Sequence, residues 1–570
     1  MIINLFLFTY VVVVLFTTGL IGKCLIDKVP FLKETPIEDS SPDHLVLFGM
    51  IILSPILGVI SISAKIGIVV HVAIMIQVLL GAIFFRKEIV RLLSSYREKM
   101  RSNRSVFPYF AVAWPFFALT WVYAASTVSV YDSGLYHIPF IQWISRYGST
   151  PGMAWVHERF GFNSHFHLVC SFFDFSFLSP QGGRAFYPVN AVLFLMFLTR
   201  CVFSVYHGFI TRNSFAIITY TLLFLLAFYF IAPLVQSPAP DIATYLLVFY
   251  LFLIFIEKIA SKPRNAGWSF DHVLLFTLVF TMITIKLSVA VTIVLLPFCL
   301  LYNKFSFKFL ALVATFGLVI IVPYLMRNVI LTGWLLYPFA GIDLFNFDWK
   351  IPSDMVRNTA TVIRTWAIVK QPGPEIATMS TTEWLPTWWH FVFPLTKRVI
   401  LLNLASPLFI IVGIILNRKD PLLKSYLVVY GVLVINLIFW FVSAPDPRFA
   451  LGFLYFNLAF TVAFAVSQLD RFIPRGVFVA IPVLILLFYF KIPPEHIETV
   501  SGPSTIMFFP KAPPVPQVAV TGNKDGSFKV TTPVGDDRCY NAEFPCTPFL
   551  LPGVKLRGSS VSEGFYWDNK

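Results

Sequence analysis

Fourteen apolar runs, most of them close to the length of a membrane span, follow one another from residue 3 to residue 490. They lie at roughly 3–22, 45–63, 66–85, 106–126, 188–207, 215–235, 242–256, 272–285, 287–302, 309–326, 399–416, 425–443, 449–468 and 476–490. A helix needs about 20 apolar residues to cross the hydrocarbon of a bilayer. In that layer every backbone polar group must find its partner within the protein, and an uninterrupted apolar run achieves this as a helix. The chain is therefore expected to be an all-α polytopic membrane protein with about 13–14 transmembrane helices. The pair near 272–302 is short and split by Lys286. Only 13% of the 570 residues are charged, against about 25% in soluble domains. That composition excludes a soluble enzyme, a disordered scaffold and a nucleic-acid binder, even with a net charge of +14.

In a membrane protein, Lys and Arg mark the cytoplasmic side. The segment Arg86–Arg104 holds seven Lys/Arg and two acids, so it is assigned to the cytoplasm. Alternation then puts 208–214, 257–271, 303–308, 417–424 and 470–475 on the same side. Together these connections carry 18 Lys/Arg against six acids, a threefold excess that fits the assignment. The first run lacks a basic leader and a small-residue cleavage site, so it reads as a retained helix. The long segments 127–187, 327–398 and 491–570 all fall on the other side. The chain divides into N-terminal helices with a basic cytoplasmic loop (1–105), a transmembrane core with two outer loops (106–490) and an extracytoplasmic tail (491–570). The working face is expected to point out of the cytoplasm, away from ATP and nucleotide sugars.

The tail carries eleven prolines and a turn at Gly522-Asn523-Lys524-Asp525-Gly526 between short alternating stretches, which predicts a small β-rich appendage. Cys539 and Cys546 lie seven positions apart within it, as a disulfide on the oxidising side or as two free thiols. A bridge would staple a module too small for a good core of its own. Cys170, Cys201 and Cys299 sit in apolar surroundings and read as packing residues.

Asp132 is the first acid beyond the run 106–126, in Tyr131-Asp132-Ser133-Gly134-Leu135-Tyr136-His137. It is read either as the cap of a following helix or as a reactive carboxylate near His137, His157, Glu158, His165 and His167. Ile138, Ile141 and Ile144 share one helical face, which predicts an amphipathic helix lying in the interface plane. The more apolar Phe162–Phe177 predicts a half-inserted segment. A further outward helix is expected over Met355–Val369, ended by Lys370-Gln371-Pro372-Gly373, with Trp384, Trp388 and Trp389 as an interfacial belt. His165 and His167 are two apart, about 200° on a helix, and so are badly placed to share a metal. No cofactor is expected; a divalent metal would need an irregular segment here, and hydrogen bonding to a sugar or interface anchoring suits His137 and His157 better.

The Asp-x-x-x-x-His spacing before an interfacial helix resembles the GT-C superfamily of integral-membrane glycosyltransferases, which includes protein O-mannosyltransferases and the aminoarabinose transferases of lipid A. The resemblance covers most of residues 106–468. It continues through Arg184-Ala185-Phe186-Tyr187-Pro188, Ser237-Pro238-Ala239-Pro240-Asp241, Ile283-Thr284-Ile285-Lys286 and the Pro-x-Pro-Arg-aromatic turn Pro445-Asp446-Pro447-Arg448-Phe449. Stretches from Arg327-Asn328 to Tyr337-Pro338 and over Trp384–Trp389 are similar to an uncharacterised bacterial branch of membrane proteins. The chain departs from many GT-C relatives in one respect: Asp132 is followed by Ser133 where they have a second acid. The resemblance implies a GT-C-like bundle in a bacterial inner membrane, an acidic catalytic residue at Asp132, a polyprenyl-phosphate sugar donor, and a glycan, lipid or protein acceptor.

Elementary chemistry asks for the same set. Sugar transfer outside the cytoplasm needs a lipid-linked donor. Its phosphate is already a good leaving group if its charge is held electrostatically. One carboxylate as general base then suffices, without the acid/base pair of a glycosidase. Lys286, Arg327 and Arg448 are the candidates for the phosphate, since Arg offers a bidentate fork and Lys a point charge. The plainer readings are snorkelling for Lys286 and helix capping or interface anchoring for Arg327 and Arg448. Asp241 is read as an N-cap, or as an orienter of a phosphate-binding cation or an acceptor hydroxyl. Two rival functions are an O-antigen polymerase or ligase centred on Arg357 and Arg364, and a transporter of lipid-linked or small solutes.

Overall fold

The structure is a computed structural model that describes residues 2–175, 186–263, 265–371, 373–489, 515–523 and 526–568. Arg184-Ala185, Pro372, Lys524-Asp525, the start of the tail and part of Phe162–Phe177, all named above, lie outside the described residues. The fold is a helical bundle with a small β appendage. Helices α1 (Ile2–Asp27) and α2 (Pro42–Ser63) open it as a pair packed backbone to backbone. A Cβ on Gly49 would stand 1.8 Å from the Leu15 carbonyl oxygen; small residues permit this approach where lipid supplies no hydrophobic drive. Helix α3 (Ile68–Phe84) turns by 77° into α4 (Arg86–Ser102). The basic segment expected as a loop is thus an amphipathic helix, because its charges alternate with Ile89, Leu92 and Tyr96 at helical spacing. All six of the helix's Lys and Arg are exposed.

Next come α5 (Phe107–Ala125), the short α6 (Ile138–Tyr147) and α7 (His165–Phe172), then α8 (Val189–Thr211), α9 (Ser214–Phe230) and α10 (Pro240–Ile254). Helix α11 (Phe270–Ile285) breaks at Lys286 into a 3-10 run, Leu287–Val294, that feeds α12 (Leu295–Leu300). After α13 (Phe307–Thr332), a long excursion carries α14 (Ser353–Val369), α15 (Pro374–Thr378) and α16 (Thr381–Phe391). The bundle closes with α17 (Pro394–Leu404) and α18 (Ser406–Leu416), bent by 43°, then α19 (Leu423–Ser443), α20 (Leu451–Val466) and α21 (Val477–Tyr489). The α10 segment is central, 89% buried, whereas those of α5 and α13 are 17% and 33% buried and form the outer wall.

Among the described residues, nine helices are long and apolar enough to cross a membrane, or up to 11 if each bent pair is one span. The expected 13–14 is too high by this measure. Each predicted run does coincide with helical structure, but α11, the Leu287–Leu300 segment and α21 are too short. The six basic connections meet at one end: Ser105 bonds Tyr206 (2.5 Å), Ser214 donates to Asp470 (2.7 Å), Gly267 N–H to Asn303 (2.9 Å) and Gln468 to Asn417 (2.7 Å), and Tyr302 bonds Ser425 (2.6 Å). The long excursions gather at the other.

Three further expectations change. Helix α6 does not lie against lipid: Ile138, Ile141 and Ile144 are fully buried, and Trp143 packs on Phe544 of the tail at 4.8 Å. All of α7 is buried against neighbouring helices, where a half-inserted segment was expected. Trp384 and Trp388 are each 3% exposed, and Trp388 donates to the Pro445 carbonyl at 2.6 Å. They pack against Trp440 and Phe441 inside the protein and do not form an exposed belt. A buried apolar face and a lipid-facing one have the same sequence signature.

The appendage consists of two antiparallel pairs, β1 (Val518–Gly522) with β2 (Lys529–Pro533) and β3 (Val554–Leu556) with β4 (Phe565–Trp567). Cys539 and Cys546 are joined in a buried disulfide, and Cys170, Cys201 and Cys299 are buried and free. The module rests on the loops around α6 and on the stretch between α13 and α14: Trp567 stacks on Trp155 (5.4 Å), Phe565 N–H donates to the Pro151 carbonyl (2.9 Å) and Arg557 pairs with Asp348 (2.7 Å).

Candidate functional site

Helix α5 ends at Ala125, and a short connection leads to Asp132, immediately before one wide π turn, Ser133–His137. Turns of this kind recur at functional sites. The appendage clamps this one from above. Tyr540 N–H donates to the Gly134 carbonyl at 3.0 Å, and a Cβ at residue 134 would fall 2.5 Å from the Tyr540 ring. Tyr131 donates to Asp537 of the appendage.

The Asp132 carboxylate is held by two guanidiniums, one on each oxygen: Arg448 Nη1 at 2.6 Å and Arg159 Nη1 at 3.2 Å. Burial pushes this carboxyl upward, but Arg448, the largest of several opposing influences that include Arg159, holds it below the usual carboxylate range. Arg448 sits in the tight turn Pro447–Phe449, whose capping residue, Asp446, accepts its backbone N–H at 3.1 Å. Asp446 is tied in turn to Lys370 at 2.6 Å, and Tyr245 donates to the Arg448 carbonyl at 2.7 Å. The backbone of Arg448 is thus fixed while its side chain stays 45% exposed. Lys286, at the break after α11, pairs with Asp241 in the first turn of α10 and lies 4.3 Å over the Phe449 ring. Neither snorkelling nor N-capping describes this pair: Ala239 occupies the N-cap position of α10.

These groups border one cavity of about 810 Å³. Asp132, Asp241, Lys286 and Arg448, distant in sequence, all line it, together with Glu158, Arg159, Lys370, Asp446 and Asp537. One stretch of the wall is aromatic: Trp366, Trp388, Phe391, Phe393, Phe439 and Trp440. Phe393 is 79% exposed, so this wall runs out onto the bundle surface.

Two predicted residues do not line it. His137 is fully buried behind the turn, its Nδ1 3.1 Å from the Ser133 hydroxyl, and burial pulls its imidazole down to about 4, so it is neutral. Arg327 is fully buried elsewhere, donating to Ser149 (2.6 Å), Asn163 (3.0 Å) and Ser61. It ties α13 to α2 and to the loops around α6. An arginine near a helix end looks alike in sequence in both roles; only the neighbours distinguish them. Arg159, Lys370 and Asp446 were not singled out as ligands by sequence. Arg159 directly follows His157-Glu158, and Asp446 lies inside the Pro-x-Pro-Arg turn, so both were adjacent to the motifs. Asp537 had no such signal.

Among the described residues, no group of three or more His, Cys, Asp or Glu is placed to hold a metal ion. Burial pulls His157 down to about 3, and its Nδ1 has no protein partner. The chain belongs to the family described as a domain of unknown function, DUF8201, whose family model matches residues 1–455. The matched residues include Asp132, Asp241, Lys286 and Arg448; the β appendage follows them. No curated protein and no solved structure matches the chain.

Proposed function

We propose that the protein is an integral-membrane glycosyltransferase of GT-C type that takes a sugar from a polyprenyl-phosphate carrier. The observation that carries this reading is the contact of Asp132 with a half-exposed Arg448 on a cavity that has an aromatic wall opening to the bundle surface. The acceptor, a glycan, lipid or protein hydroxyl, attacks the anomeric carbon. The carbon–oxygen bond to the phosphate breaks, the polyprenyl phosphate leaves with the electron pair, and the hydroxyl proton passes to Asp132. A single direct displacement of this kind inverts the anomeric centre.

A carboxylate gripped by two arginines is a weak base. Donor binding relieves this: a phosphate that draws Arg448 away from Asp132 raises its proton affinity at the moment it is needed. The lining has four cations (Arg159, Lys286, Lys370 and Arg448) against five carboxylates (Asp132, Glu158, Asp241, Asp446 and Asp537). Such a balance suits the single charge of a phosphodiester better than the higher charge of a diphosphate. Gathering of the basic connections at the opposite end supports an extracytoplasmic cavity and appendage in a bacterial inner membrane. Arg357 and Arg364 are exposed and do not line the cavity, which favours this reading over the ligase. Membranes carrying the full chain and radiolabelled polyprenyl-phosphoryl hexose should transfer label from the polyprenyl phosphate to a new glycan, lipid or protein product. Full transfer by an Asp132→Asn variant would contradict the assigned base.

A further inference from the structure

Helix α4 carries two apolar edges, and the fold uses one of them. Ile89, Leu92 and Tyr96 pack with Leu20, Cys24, Ile37 and Leu45 in a small cluster apart from the main core, and Tyr96 donates to the Ser40 carbonyl at 2.7 Å. Arg91 pairs with Glu38 (3.6 Å) and Lys99 with Asp39 (4.0 Å), so these two cations fasten the helix to the segment between α1 and α2. The second edge is Arg86, Val90, Leu93, Arg97 and Met100, spaced four, three, four and three apart. That spacing places them within about 80° of arc. All five are exposed, Val90 by 62% and Leu93 by 52%, whereas Leu92 is fully buried. Arg101 flanks the stripe. Among the described residues, no ion pair engages Arg86, Lys87, Arg97 or Arg101.

Arginines alternating with exposed apolar side chains suit the boundary between phospholipid headgroups and acyl chains. The apolar groups reach the chains, and the guanidiniums on their long stems reach the phosphates. The fold sets α4 at that depth. Helix α3 is apolar, and Ile76, Leu79, Leu80 and Ile83 on it are exposed. That exposed side ends in Phe84, and the 77° turn follows at once, which lays α4 close to the plane of the bilayer surface. Charge then selects the lipid. The stripe holds cations only: the two acids of the helix, Glu88 and Glu98, lie at least about 120° from its centre. A guanidinium fork matches phosphate oxygens, and a net negative headgroup gains most from several of them.

We infer that this edge of α4 binds anionic phospholipid in the leaflet on the side of the basic connections. Arg86, Arg97 and Arg101 meet the headgroups, and Val90, Leu93 and Met100 meet the start of the acyl chains. This binding is independent of the transferase reading. The test uses the full chain in nanodiscs with one bimane label at Leu93→Cys; the four free cysteines are buried and the other two are bridged. The quenchers are phosphatidylglycerol and phosphatidylcholine, each nitroxide-labelled high on the acyl chain and used at equal mole fraction. The glycerol lipid should quench the label at least about threefold more than the choline lipid, and added salt should shrink the difference. Combining Arg86→Gln, Arg97→Gln and Arg101→Gln should bring the ratio close to one, with an unchanged unfolding midpoint showing that the variant is folded. A label at 93 quenched no more than one at Glu98→Cys would put the stripe in water and overturn the proposal. Equal quenching by the two lipids in the parent protein, or a preference that survives the triple substitution, would overturn it as well. Where the triple variant fails to fold, a preference insensitive to salt does so in its place.

Discussion

Arg200 and Arg448 anchor charge clusters at opposite ends of the bundle, and the contrast between them separates structure from function. Arg200 is 8% exposed. It donates to Asp43 (2.9 Å), Tyr220 (3.2 Å) and Glu257 and lies 3.0 Å from His44 Nε2, so its fork is consumed in joining α2, α8, α9 and the turn after α10. Arg448 also grips a carboxylate, but 45% of its side chain faces a cavity. A guanidinium wholly satisfied by protein is a fastener; one half open to a cavity retains donors for an external anion.

That contrast is open to attack by substitution. The largest effect on activity is expected at Asp132: Asp132→Asn keeps shape and loses basicity, so transfer should fall about 100- to 10,000-fold, while the unfolding midpoint falls only by the electrostatic contribution of the lost carboxylate. Arg200→Met should do the reverse. It strands Asp43 and Glu257, so it should cost about 3–5 kcal/mol of stability, seen as a lower midpoint or loss of folded protein. A stable Arg200→Met protein lacking transfer would invert the assignment. Arg448→Lys removes the fork but keeps the charge, and kcat/KM should drop by roughly tenfold to a hundredfold in initial-rate assays.

A subtler consequence concerns pH. The native pKa of Asp132 is depressed, so its carboxylate stabilises the fold above the ordinary carboxylate range, and this contribution is lost as pH falls through the depressed value. The acid limb of kcat/KM, which reports the free enzyme, should lie below that ordinary range. Arg448→Gln removes the stronger of the two arginine influences, so the limb should move to higher pH. An unmoved limb would detach Asp132 from the rate. The smallest effect is expected for Arg357→Ala and Arg364→Ala, both exposed, whose rates should stay within about twofold of the parent.

How much of this the sequence carried differs between the two ends. The apolar runs and the basic connections between them were legible because hydropathy and charge act locally. So were the helices over 138–147 and 353–369, from their spacing. Whether an apolar face meets lipid or protein is decided by what packs on it, which is why α6, α7 and the tryptophans near 384 were expected at an interface. Likewise Arg327 and Arg448 were equivalent candidates along the chain. Only the positions of Ser61, Ser149 and Asn163 make the first a fastener, and only the cavity leaves the second open. Asp537 could not be anticipated, since the appendage reaches the site by docking on the loops around α6.

Phosphorus NMR of the full chain in nanodiscs with citronellyl-phosphoryl hexose and an acceptor glycan tests the central claim most directly. The account predicts that the phosphodiester resonance is replaced by that of the free phosphomonoester with the parent protein, and persists with Asp132→Asn. No conversion by the parent protein across hexosyl donors, or equal conversion by both proteins, would contradict it.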